Sequence, residues 1–92
     1  MTVPMGERRE LGAVSRPAWT GDLDDDCSSR WAGFLLRAEE MDEGFWWWAV
    51  YDEWADDPMR QVASSHDSST ACDSGSVARQ AAEQAARGFL GL

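Results

Sequence analysis

Ninety-two residues, 43% hydrophobic and 27% charged, are enough for one small domain, and a formal net charge of −9 repels phosphate backbones and anionic lipid. Direct nucleic-acid binding and attachment to a membrane surface are disfavoured on that ground. No stretch of 18 apolar residues exists, and the N-terminal MTVPMGERRELGAVSRPAW carries charge where a signal peptide needs an apolar run, so the expectation is a cytoplasmic protein.

Residues 1–20 have no apolar period, contain Pro4 and Pro17, and read as a flexible N-terminal arm with Trp19 as its one large ring; residues 21–92 read as a single small domain. GDLDDDCSS (21–29) is an acidic, turn-rich approach to RWAGFLLRA (30–38), whose half-apolar pattern predicts a first strand. After the polar EEMDEG (39–44), the ring-rich FWWWAVY (45–51) predicts a second strand, ended by DEWADDP (52–58). MRQVASS (59–65) is a weaker third strand, followed by a Ser-rich loop. SVARQAAEQAARG carries the strongest helix signal: Ser74 or Ser76 as N-cap, an Ala-rich interior, and Gly88 where the chain would leave the helix. Val77, Ala78, Ala81, Ala82, Ala85 and Phe89 share its apolar face. The expected fold is α+β: a three-stranded antiparallel meander with one C-terminal helix packed on one face, a βββα two-layer domain.

Strand alternation then divides the rings. Side chains i and i+2 share a face, so no single-faced core takes Trp46, Trp47 and Trp48 together. Ala32, Phe34, Leu36 and Ala38 are expected to join Trp46, Trp48 and Val50 beneath the helix. The other face then holds Trp31, Leu35, Phe45, Trp47 and Tyr51, bordered by Arg37; the opposite assignment of faces is the alternative register. Burying a large ring gains on the order of 2–3 kcal/mol, so this second face calls for a cover. Either the arm folds back and Leu11, Val14 or Trp19 roofs it, or the face is an interface, since Trp, Tyr and Arg anchor such patches.

A three-stranded meander also brings Asp22, Asp24, Asp25 and Asp26 to the same end as Asp52, Glu53, Asp56 and Asp57, an expected acidic pole, with Glu39, Glu40, Asp42 and Glu43 at the other end. Its ordinary role is to keep a Trp-rich protein soluble; its functional role would be to engage a basic partner as a mimic of nucleic acid. Asp22, Asp24, Asp26 and Ser28 imitate the start of an EF-hand loop, but Cys27 stands in place of the glycine and Gly33 in place of the bidentate Glu, so no metal is expected. His66, Asp67 and Ser68 are residue types of a hydrolase triad, yet adjacent loop residues do not converge as a triad must. Cys27 and Cys72 lack metal-site or CxxC spacing and read as reduced thiols. With no phosphate loop or HExxH, no catalytic residue and no cofactor is expected. The function expected is non-enzymatic association, as a homodimer or with another protein, through the second aromatic face. The alternative is an acidic inhibitor of a nucleic-acid-binding protein.

Overall fold

The computed structural model describes residues 16–65 and 72–91. Its strands are β1 (Thr20–Gly21), β2 (Asp26–Trp31), β3 (Phe34–Asp42), β4 (Phe45–Asp52) and β5 (Gln61–Ser64), followed by helix α1 (Gly75–Phe89). The strands form one sheet in the order β1-β2-β3-β4-β5, with every neighbouring pair antiparallel. The α+β class, antiparallel sheet and C-terminal helix agree with expectation; among the described residues the sheet has five strands rather than three.

The largest departure is local. The strand expected over residues 30–38 is two strands, because the chain reverses at Ala32 (φ +53°) and Gly33 (φ +83°). Two successive left-handed residues make the two-residue hairpin turn whose twist matches that of its flanking strands. Alanine is a rare first residue in such a turn, so the apolar pattern runs through it without a visible break. The turn is held from above: a Cβ on Gly33 would lie 2.5 Å from the Trp54 ring, and the Glu53 amide donates to the Gly33 carbonyl at 2.9 Å.

The β3–β4 hairpin closes at Glu43 and Gly44 (φ +72°), and its register slips so that Glu40 faces Trp46 while Asp42 faces Phe45. Met41 is the extra residue of that bulge and lies exposed. A second bulge sets Val50 opposite Ala63 and Tyr51 opposite Gln61, leaving Val62 outside the pairing on the edge strand. Beyond β5 the same edge is continued by Cys72, whose carbonyl accepts from the Trp46 amide at 2.9 Å.

Helix α1 starts where Ser74 Oγ accepts the Val77 amide at 3.2 Å. It packs on β3 and β4 through Ala78, Ala82 and Ala86, all fully buried. Small side chains let the helix axis approach bulky partners, and at its first turn Gly75 goes further. A Cβ there would meet the Trp46 ring and the Leu23 carbonyl at 2.9 Å. The core between the layers holds Cys27, Trp31, Phe34, Leu36, Ala38, Trp46, Trp48, Val50 and Cys72. The helix also runs past Gly88 to Phe89, with Leu90 as C-cap and Gly91 taking the positive φ of +75°. Val77 lies toward solvent rather than on the buried face, because the buried stripe follows Gly75, Ala78, Ala82 and Ala86.

Residues 1–15 of the expected arm, with Leu11 and Val14, lie outside the described residues, as do His66, Asp67 and Ser68. The arm's last residues are placed: Pro17 is buried, Trp19 packs against the core on the helix side, and Thr20 opens β1 opposite Ser28. Trp19 thus does not roof the second face of the sheet.

Candidate protein-interaction face

The Ala32–Gly33 turn decides which side chains share the face opposite α1. Because it contains two residues, Trp31 pairs with Phe34 and points to the same side as Phe34, Leu36 and Ala38. Trp31 therefore belongs to the core at 4% exposure, with the Arg87 guanidinium 5.6 Å from its ring centre, and is removed from the expected interface set. An uninterrupted strand would have put it on the opposite side; the turn reverses that parity.

The remaining members sit together. Register places Leu35 opposite both Arg30 and Tyr51, Arg37 opposite Ser28 and Ala49, and Glu39 opposite Asp26 and Trp47. Arg37 is at the centre. Its guanidinium lies 5.7 Å from the centre of the Trp47 ring, within 3.7 Å of an Asp26 carboxylate oxygen and 3.9 Å of one on Glu39. Arg30 pairs with Glu53 at 3.3 Å. Phe45 continues the face at the start of β4 and is 56% exposed. Tyr51, by contrast, is only 8% exposed, with Gln61 Nε2 donating to its hydroxyl at 3.2 Å, and Ala49 is fully buried. The open part of the face therefore lies on the β1–β3 side and at the Trp47–Phe45 end. There Ala18, Thr20, Ser28, Arg30, Leu35 and Arg37 line a shallow depression of about 560 Å³.

The face also includes Thr20, Asp26, Ser28 and Arg30, none of which is expected there from the sequence; the last three carry a signal, the period-two polar alternation of DCSSRW, which the acidic, turn-rich residues before it obscure.

The expected acidic pole is also rearranged. Asp26 pairs with Glu39, and the Glu40 amide donates to the Asp25 carbonyl at 2.7 Å, so Asp22, Asp24, Asp25 and Asp26 gather with Glu39, Glu40, Asp42 and Glu43. Asp52, Glu53, Asp56 and Asp57 lie at the opposite end, beside the Ala32–Gly33 turn, since Phe34 pairs with Asp52. The cause is again the additional hairpin, which reverses the direction in which the chain enters β3. Several of these carboxylates cap turns: Asp22 accepts the Asp24 amide, Asp52 the Trp54 amide and Asp57 the Met59 amide.

Among the described residues no group of three or more His, Cys, Asp or Glu side chains is arranged to hold a metal ion. Burial pushes both thiols up; the Arg79 guanidinium, 3.9 Å from the Cys27 sulfur, opposes the rise there, and Asp73 adds to it at Cys72. The two do not approach each other. Cys27 pairs with Ala38, Ala38 with Trp48, and Cys72 bridges to Trp46 on the next lane, which separates the thiols by three strand spacings, about 14 Å. A disulfide needs Cα atoms within about 7 Å. Among the described residues no helix is long and apolar enough to cross a membrane.

No family model, no curated protein and no solved structure matches this chain.

Proposed function

We propose that this protein is a non-enzymatic, acidic protein-interaction domain of the cytoplasm, associating through the sheet face opposite α1 as a homodimer or as a subunit of a larger complex. One observation carries this: Trp47, partly open and beneath the Arg37 guanidinium, stands with Leu35 and the exposed Phe45 on a face that no helix crosses among the described residues. Aromatic rings with an arginine are the usual energetic centre of protein contacts, whereas isolated apolar residues on a surface are commonplace. The depression beside them is shallow and flanked by three carboxylates, Asp26, Glu39 and Glu53, which suits a protein surface better than a small anionic substrate.

The experiment is sedimentation velocity on the full chain carrying Trp47→Ala. Association is expected to weaken at least roughly tenfold, as for an interface anchor, while the melting temperature moves little because the ring is only partly enclosed. Unchanged association in both Trp47→Ala and Phe45→Ala would reject this face.

A second reading has its own support. The eight carboxylates at the start of β2 and around the β3–β4 hairpin gather at one end of the sheet, which favours capture of a basic nucleic-acid-binding protein. Replacing Asp24, Asp25, Glu40 and Glu43 by their amides would then abolish binding and its salt dependence, and Trp47→Ala would leave both intact.

A further inference from the structure

The register gives the open face a pattern of rows. Across β2, β3 and β4 the first row reads Arg30, Leu35, Tyr51; the second Ser28, Arg37, Ala49; the third Asp26, Glu39, Trp47. Arg30 gives the first row its one cation, exposed and already paired with the partly buried Glu53, whereas Asp26 and Glu39 make the third row acidic; Arg30 and Asp26 are both at the solvent side of β2. A foreign partner of one sign would gain attraction at one row and lose it at the other. A second copy of this face, turned end for end, carries the reversed pattern.

We propose that the occupant of the face is a second copy of this chain, related by a two-fold axis that runs across the strands through the Ser28–Arg37–Ala49 row. This rests on the reading above that the face is the association surface. The rotation sets Arg30 of each copy opposite Asp26 of the other, a contact made twice, as an isologous interface requires, and lays Trp47 over the largely buried Tyr51. Phe45 lies two residues beyond Trp47, so it extends over the other copy's Glu53–Trp54 turn, where Trp54 is partly buried against Gly33. Leu35 meets the stem of Glu39. The unfavourable contact is Arg37 with its own equivalent near the axis, and each Arg37 already has carboxylates of Asp26 and Glu39 within 4 Å. An axis along the strands instead would set Asp26 against Trp47 and Arg30 against Tyr51, pairing no charges.

The footprint limits the affinity. The lanes β1 to β4 span about 14 Å and the rows from Arg30 to Phe45 about 20 Å, a backbone footprint of about 280 Å² per copy that is below the usual range of stable interfaces. A dissociation constant on the order of micromolar or weaker follows, sensitive to salt.

The test uses the charge pattern directly. Full-length chains carrying Arg30→Asp (acidic in both outer rows) and Asp26→Arg (basic in both) are examined by sedimentation at loadings up to about 1 mM, alone and mixed in equal amounts. Far-UV circular dichroism confirms that each is folded, and if Asp26→Arg is not, Asp26→Asn replaces it with loss of salt sensitivity as its readout. Each variant alone is expected to dimerise at least roughly tenfold more weakly than the wild type, and the mixture to regain most of that loss. A wild-type dimer whose charge variants are not rescued by mixing overturns the two-fold arrangement, and if Trp47→Ala weakens that dimer the face itself stands. A wild type that remains monomeric throughout overturns the second copy as occupant and leaves the face to be judged by Trp47→Ala in a complex with another protein.

Discussion

Gly33 is the residue on which the arrangement of side chains turns. It adopts φ +83° and has the Trp54 ring where a Cβ would go, 2.5 Å away, so both its backbone and its space exclude other residues. Gly33→Ala is expected to destabilise the fold by about 1–3 kcal/mol, since strain in the left-handed region is added to displacement of the indole. Urea unfolding monitored by tryptophan fluorescence measures this, and a change below about 0.5 kcal/mol would show that Trp54 moves aside freely. Ala32 illustrates why the turn was hidden from the sequence. Its positive φ of 53° is imposed by the pairing of β2 with β3, and nothing in the pattern RWAGFLLRA separates a strand containing glycine from two strands joined at it.

At the scale of elements, α1 was the most legible part of the chain. Ser74, the alanines and the charged outer positions all favour the same helix, and local signals of this kind need no tertiary partner to be read. What they did not show is how closely it sits. Ala82 is fully buried against the sheet, and Ala82→Leu adds volume where no space is left. The substitution is expected to lower stability by about 1–3 kcal/mol, although leucine is as good a helix former as most residues. Thermal unfolding followed by circular dichroism checks it; an unchanged or raised midpoint would mean that the two layers part easily. The strand β4 was legible for a related reason. Trp46, Trp48 and Val50 are buried while Trp47 is partly open, which is what alternation demands of any strand there, whatever its neighbours. Its neighbours are another matter: Trp31 changed sides because its face depends on a turn, and the acids changed ends with it.

On the scale of the whole molecule, charge is the main unbalanced term. The net charge of −9 is concentrated at the two ends of the sheet, and the described surface ion pairs, Arg30 with Glu53 and Arg37 with Asp26 and Glu39, offset little of it. Self-repulsion of this kind is screened by salt, so raising sodium chloride from about 20 to about 300 mM is expected to raise the melting temperature of the dilute protein by a few degrees. A fall would show that attractive pairs outweigh repulsion. The measurement is made at low protein concentration because association through the Arg30–Asp26 contacts would respond in the opposite direction.

The sequence by itself determined the fold class, the capped alanine helix and the division of Trp46, Trp47 and Trp48 between two faces, because propensity, capping and period-two alternation act over neighbouring residues. Only the tertiary structure decided the count of strands, the removal of Trp31 to the core, the rows of Arg30 and Asp26, and the company that each acidic cluster keeps. Those follow from pairing register, and register here depends on a two-residue reversal at Ala32–Gly33 stabilised by the ring of Trp54, far along the chain.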